Sequence, residues 1–332
     1  ISREKKTIAI SGTNGKTTTT TMTAEALIHL GLDPTVIVGG VMKAFDTNYV
    51  DGESDLFVVE ACEYKNSFLS LNPDVLVLTN ITPDHLDFFG TYENYKSVFV
   101  SLVERMEADT YLICNEQDPE LADVIVAAVN KGIEVLDYTS IPKPDLQIPG
   151  EHNIMNAQAA LAVAHVLGAD TQQAGEYLQE SFQGSKRRFE LLGTTESGFE
   201  VYDDYAHNPE ALQTLILGIQ TKYPKKTIVL FFQPHLFSRT KDLFQEFIQA
   251  LVLPDKIFLL PIYKAREEDN GEMSSVILSE GMMLMNPNVD VEVADDFDHA
   301  QELFNSYKFP KDTIVLTVGA GDIYKLGNKL VE

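Results

Sequence analysis

The sequence predicts an α/β protein of two doubly wound domains, each a largely parallel sheet with helices on both faces. Three observations carry this. Short apolar, β-branched runs alternate with stretches of helical spacing along most of the chain, the pattern of strands joined by crossover helices. The length, 332 residues, exceeds what one hydrophobic core usually serves. A basic break containing Gly184, Lys186, Arg187 and Arg188 interrupts the alternation, which then resumes.

The elements follow in order. Residues 7–11 form a short apolar run that ends at Gly12, and read as a buried strand. Residues 16–31 have helical spacing and are stopped by Gly31 and Pro34. Residues 35–38, 56–60 and 74–79 are β-branched runs and read as strands. A helix at 92–106, a strand at 110–114 and a helix at 119–130 come next, the last opened by Pro119. A loop rich in Pro and Gly occupies 141–150, followed by an Ala-rich helix at 153–167 and a second helix at 171–181. After the break come a strand at 200–203, a helix at 209–222 and a strand at 227–232. A helix at 240–251, a strand at 256–260, a late strand at 313–318 and a helix at 323–331 complete the pattern. The boundary falls near Arg187, giving domains 1–187 and 188–332.

Composition removes several function classes. A hydrophobic share of 44% supports packed cores and excludes a mainly disordered chain. Fifty acidic residues against 25 basic ones leave a net charge of -25, which argues against nucleic acid and anionic membrane surfaces as partners. Anions are then expected only in local sites built from backbone N–H groups, a few cations and metal ions. Cys62 and Cys114 lie far apart without CxxC spacing, so neither a disulfide framework nor a zinc site is expected. No apolar run approaches the ~20 residues of a membrane span, and the charged start leads straight into a strand. A reducing cytosol is therefore the expected location; whether the chain forms a homodimer is left open.

The most specific feature is the stretch Ile8-Ala9-Ile10-Ser11-Gly12-Thr13-Asn14-Gly15-Lys16-Thr17-Thr18. A strand runs into a Gly-rich turn, and Lys and Thr open a helix. Backbone N–H groups of such a turn and helix start point at an anion. Lys16 supplies a charge for the outer phosphates of a nucleotide, and the Thr17 hydroxyl can ligate Mg²⁺. The strict P-loop has Gly where this chain has Ile10, so the loop is a variant of the form GTxGKTT. The first domain is accordingly P-loop ATPase-like and the second a smaller, Rossmann-like one. In doubly wound sheets ligands sit beyond the carboxyl ends of the strands. Glu60 closes one apolar strand, and Thr79-Asn80-Ile81-Thr82-Pro83-Asp84-His85 follows another. Thr17, Glu60 and His85 are therefore candidate Mg²⁺ ligands beside the phosphates. The competing readings are a solvated carboxylate for Glu60 and a helix-start imidazole in a charged loop, between Asp84 and Asp87, for His85.

With these residues in place the chain resembles the ATP-dependent Mur ligases, which build the peptide stem of peptidoglycan. The phosphate loop, Glu60, Thr79-Asn80-Ile81 with Asp84-His85-Leu86-Asp87, and Gly150-Glu151-His152-Asn153-Ile154-Met155-Asn156-Ala157 occur in the family's order. So do Gly184 to Glu190 and Asp203-Asp204-Tyr205-Ala206-His207-Asn208-Pro209. Phe231-Phe232-Gln233-Pro234-His235 with Ser238-Arg239-Thr240, and Gly319 to Lys325, look most like the alanine-adding branch.

The resemblance implies an ATP-dependent amide ligase with ATP and Mg²⁺ as cofactors and an amino acid and a UDP-sugar as substrates. Residues 1–187 would be the central ATP-binding domain and 188–332 the amino-acid-binding one. Lys16, Glu60 and His85 would be catalytic. Gly12, Thr13, Asn14, Gly15, Lys16, Thr17 and Thr18 would bind the phosphates, with Thr17, Glu60 and His85 organising two metal ions. Asn153 and Asn156 would face the adenine with His152 close by, and Arg188 and Asp204 would reach the nucleotide from the second domain. His207, His235 and Arg239 would line the amino-acid pocket. On the residues alone, Arg187 and Arg188 also read as a solvated hinge pair, and His235 as a plain turn residue.

The chain departs from the family in places. Full-length members carry an N-terminal UDP-sugar domain, whereas residue 1 opens directly on the ATPase domain. The stretch 114–150 is shorter than the family's usual insert, so a small β subdomain is expected to be missing. Phe99 and Val100 stand where several relatives place a carbamylated Lys, which the alanine-adding branch also lacks. Leu236 stands where that branch usually has Arg.

Overall fold

The computed structural model describes residues 1–332, except the side chain of Asp87, which lies outside the described residues. It divides into two compact units, Ile1–Lys186 and Arg187–Glu332.

The first unit holds a seven-stranded sheet in the order β3-β2-β4-β1-β5-β6-β7. Its strands are β1 (Lys6–Ser11), β2 (Thr35–Met42), β3 (Thr47–Val50), β4 (Leu56–Glu60), β5 (Val75–Leu78), β6 (Tyr111–Cys114) and β7 (Glu134–Asp137). All pairings are parallel except β2 with β3. The helices are α1 (Lys16–His29), α2 (Leu86–Phe89), α3 (Tyr92–Arg105), α4 (Ala122–Lys131), α5 (Glu151–Val166) and α6 (Thr171–Glu180). The central strands are mostly apolar because both their faces are buried. Ile8, Ile10, Val75 and Val77 enter one core with residues of α1, α5 and α6. Ala9, Leu76 and Leu78 enter the other with residues of α3 and α4.

The second unit holds a six-stranded sheet, β12-β11-β10-β13-β9-β8. Its strands are β8 (Glu190–Thr194), β9 (Glu200–Asp204), β10 (Thr227–Phe232), β11 (Lys256–Leu259), β12 (Val291–Val293) and β13 (Thr313–Val318). Only the β8–β9 pair is antiparallel. Its helices are α7 (Pro209–Lys222), α8 (Phe237–Asp242), α9 (Phe244–Leu251), α10 (Ser275–Met285), α11 (Phe297–Ser306) and α12 (Tyr324–Val331). Ile228, Leu230 and Phe232 face one core and Val229 and Phe231 the other, again the period of two of a doubly covered strand.

The single helix expected over 240–251 is two, α8 and α9. Leu243, with φ -109° and ψ 30°, leaves the helical region between them. Likewise the helix expected at 119–130 opens as a 3-10 turn, Pro119–Leu121, before α4. Among the described residues no helix is long and apolar enough to cross a membrane.

Candidate active site

In the first unit, strand register builds the site. Ile10 of β1 lies beside Glu60 of β4, and Ser11 beside Leu78 of β5. The phosphate loop, Glu60 and Thr79-Asn80 are thus forced onto one rim of the sheet. The loop is stapled to the segment after β5. Thr13 N donates to Asn80 O (2.9 Å), Asn14 N to Asn80 Oδ1 (3.0 Å), and Thr79 Oγ1 to Asn14 O (2.6 Å). Gly12 at φ +125° and Gly15 at φ +85° make the turn. A Cβ on Gly12 would stand 2.2 Å from Thr79 Oγ1, and one on Gly15 2.5 Å from Asn156 Oδ1. Several helices here begin with a side-chain cap, such as Thr91 on α3, Asp170 on α6 and Asn208 on α7. At α1 the capping position is Gly15, which supplies no side chain to bond the first-turn N–H groups. That is the arrangement an anion completes.

Lys16 curls back over its loop. Its Nζ donates to Gly12 O (2.5 Å), Thr13 O (2.9 Å) and Glu63 Oε1 (3.2 Å). Thr17 Oγ1 donates to Glu60 Oε1 (3.0 Å), and Gly39 N to Glu60 Oε2 (2.6 Å). A hydroxyl and a carboxylate so close together are hard oxygen donors of the kind Mg²⁺ takes, so these two residues fit that ion. His85 sits at φ +52°, with Nε2 4.0 Å from Glu63 Oε1 and 3.8 Å from Asp84 Oδ2. Tyr64 packs on its ring with centroids 4.7 Å apart. Among the described residues no group of three or more His, Cys, Asp or Glu is gathered as a metal site.

Three further candidates come from α5. Asn156 Oδ1 accepts from Thr19 Oγ1 of α1 (3.1 Å), placing Asn156 under the phosphate loop. Asn153 Nδ2 donates to Pro149 O (2.6 Å). His152 is pushed down to about 4 by burial, so its ring is neutral, and its buried Nδ1 has no hydrogen-bond partner.

In the second unit, Phe232, Val318 and Asp204 are registered across β10, β13 and β9. The segments after those strands therefore lie side by side. His207 and His235 approach to a ring separation of 6.1 Å, and His235 Nδ1 lies 3.4 Å from Arg239 Nη1. Tyr263 stacks on the other side of His235 at 5.7 Å. Burial, then the Arg239 and Arg266 charges, push His235 down to about 4. His207, His235 and Arg239 thus form one cluster, and His235 is no plain turn residue. Burial raises the Asp204 carboxyl, which the nearby Arg188 charge opposes. Asp204 also accepts from Phe189 N (2.7 Å) and Ala206 N (2.8 Å).

The hinge-pair reading fails for Arg187. Its Nε donates to buried Asp203 (2.9 Å), Nη1 to Gly321 O (3.0 Å) and Nη2 to Gly319 O (2.5 Å). Sequence reasoning missed Glu63, Tyr263 and this Arg187–Asp203 pair. The Asp203 signal was available, since a carboxylate ending a buried strand needs a partner. Glu63, three residues beyond β4, gave none.

Residues 10–143 match the family model for the Mur ligase middle domain, and residues 187–321 that for the Mur ligase, glutamate ligase domain. The chain is 38% identical to UDP-N-acetylmuramate–L-alanine ligase of Caldanaerobacter subterraneus, covering 98% of this chain and 75% of the relative. It is also 38% identical to the ligase of that name from Clostridium acetobutylicum, covering 97% and 75%. Among solved structures, UDP-N-acetylmuramate-alanine ligase of Thermotoga maritima matches with TM-score 0.77 and 27% identity, covering 99% of this chain and 75% of that one. Mycobacterium tuberculosis folylpolyglutamate synthase shares the fold, with TM-score 0.74 at 18% identity, covering 99% and 91%.

Proposed function

This chain belongs to the Mur ligase family, and on that premise we propose that it joins L-alanine to the carboxylate of UDP-N-acetylmuramate at the expense of ATP. The observation that carries the reading is the glycine-capped phosphate loop set between Glu60 and Thr79-Asn80 on adjoining strand ends.

The chemistry runs in two steps. The sugar carboxylate attacks the γ-phosphate, releasing ADP and giving an acyl phosphate. The amino group of alanine then attacks the acyl carbon, phosphate leaves, and the ammonium proton goes to solvent or a nearby base. Most of the catalysis is positioning and charge neutralisation. Loop N–H groups of residues 12–18 cradle the β- and γ-phosphates, and Lys16 neutralises the outer oxygens. Thr17 and Glu60, with His85 as a third candidate ligand, would hold Mg²⁺, which would neutralise phosphate charge. Asn153 and Asn156 with His152 serve the adenine side. The neutral His235, with His207 and Arg239, receives the amino acid, Arg239 facing its carboxylate. A cytosolic site of action fits substrates of this kind.

Amino-acid-dependent phosphate release from ATP tests the proposal across a panel of acceptors. UDP-N-acetylmuramate with L-alanine should give the largest rise. A response to a folate acceptor with glutamate instead would favour a folylpolyglutamate-synthase-like ligase, which shares the fold. Lys16→Ala should lower the rate by about 10² or more while the protein stays folded, since such charge contacts carry factors of that size. Activity within tenfold of the parent would remove Lys16 from the phosphate site.

A further inference from the structure

We propose that Glu63 is a positioning residue that holds Lys16 withdrawn, so that nucleotide enters by exchanging one anionic partner of Lys16 for another. The inference rests on the ATP-ligase reading and adds to it a residue with no role there.

Glu63 is fully buried, three residues past the strand that ends at Glu60. Its two carboxylate oxygens lie 3.2 and 3.1 Å from Lys16 Nζ. Tyr95 OH donates to Oε1 (3.2 Å), and the same hydroxyl meets Thr13 Oγ1 of the phosphate loop (2.8 Å). Thr13 Oγ1 in turn accepts from Thr82 N (2.9 Å), so the carboxylate is tied through Tyr95 to both walls of the loop. With Gly12 O and Thr13 O as its other acceptors, the Lys16 ammonium has a partner for each of its three protons. Its charge is satisfied inside its own loop rather than presented to a ligand.

Two consequences follow. For Lys16 to reach the outer phosphates it must leave Glu63, and a buried carboxylate that loses its counter-charge is costly. The ion pair therefore favours the withdrawn state. A ligand that needs the extended state has its apparent affinity reduced by the fraction extended, so a withdrawn population of ~90% weakens binding about tenfold. His85 Nε2 also lies near the carboxylate, 4.0 Å from Oε1.

Calorimetry with a non-hydrolysable ATP analogue, without added Mg²⁺, tests this on the full chain. Glu63→Gln keeps the shape and the acceptor for Tyr95 but removes the charge. It should tighten the analogue about five- to tenfold, by the population argument above. In a Lys16→Met background the same substitution should have little effect, because the residue being held is gone. A gain of equal size in both backgrounds would mean simple charge repulsion and would overturn the positioning role. Unchanged or weaker binding by a folded Glu63→Gln variant would overturn it too. Should that variant not fold, Glu63→Asp pulls the carboxylate back by one methylene, and the same sign of change, smaller in size, is expected. If the parent chain itself fails to bind the analogue, the ligase reading falls and this inference with it. If the parent binds and ligates while the variants match it, only the Glu63 inference falls.

Discussion

Gly15 shows how much of the site hangs on single atoms. At φ +85° it occupies a conformation that costs an L-residue on the order of 1 kcal/mol, and its missing Cβ leaves room for Asn156 Oδ1. Gly15→Ala should therefore push Asn156 away from Thr19 and distort the N–H cradle. The expected result is at least tenfold weaker binding of an ATP analogue with a lowered melting temperature; parent-like affinity would show that the loop tolerates the change. Glu60 makes a second residue-scale case. It accepts from Thr17 Oγ1 and Gly39 N, and a Cβ on Gly39 would fall 2.7 Å from its Oε1, so the carboxylate is held in one place. Glu60→Gln keeps that shape and removes the charge a cation needs. The Mg²⁺ concentration for half-maximal activity should rise about tenfold or more, judged by what lesser changes around metal ligands cost. An unmoved midpoint would take Glu60 out of the metal site.

At the scale of the element, α1 carries a liability at its far end. Glu25 is almost fully buried and accepts from Tyr177 OH of α6 (3.0 Å). His29 stacks on the same tyrosine ring at 4.5 Å. Burial raises the carboxyl from 4.5 to about 7, the hydrogen bonds from Tyr177 and the Gln183 backbone opposing it only in part. A folded-state value above the unfolded one means the native chain holds a proton that the unfolded chain has released. Stability contributed by this group is present below pH ~4.5, fades as pH rises, and is gone above pH ~7. Glu25→Gln should thus stabilise the protein by on the order of 3 kcal/mol at pH 8 and by little at pH 4.5. Melting curves of parent and variant across that range decide it, and a pH-independent difference would mean that the carboxyl is ionised in the fold. The same scale shows what was legible in the sequence. Central strands such as β4, β10 and β13 announce themselves, because burial on both faces demands unbroken apolar runs. The edge strands β3 and β12 are short and half-exposed, and β8 pairs antiparallel through an irregular register, so none carries that signal. Helix α10 lies in the run SVILSEGMMLM, whose exposed Val276, Met283 and Leu284 blur the period. Lys16, Thr17 and Glu60 were readable because strand and loop fix their places. Glu63 was not, because it lies past the strand end in an irregular segment, where Lys65 and Asn66 both adopt a positive φ that their residue types do not announce.

For the whole molecule the governing quantity is the charge of -25. Exposed ion pairs such as Lys143–Glu151 and Lys241–Glu272 link acidic to basic side chains, and salt weakens them. Each contributes only about 0–1 kcal/mol, however, while the acidic residues outnumber the basic ones two to one and repel across the surface. Raising ionic strength from 0.01 M to 0.1 M shortens the Debye length from about 30 Å to about 10 Å, which removes long-range repulsion before it removes close pairs. The melting temperature at pH 7.5 should therefore rise with NaCl over this range and then level off. Most of the gain should come at the lowest concentrations, and replacing NaCl with KCl should leave the curve unchanged, since screening depends on ionic strength alone. A melting temperature that falls with salt would show that paired charges outweigh the net excess. A rise that appears only with Mg²⁺ at millimolar levels would instead trace the stabilisation to cation binding at Thr17 and Glu60, and the Glu60→Gln variant would lose it.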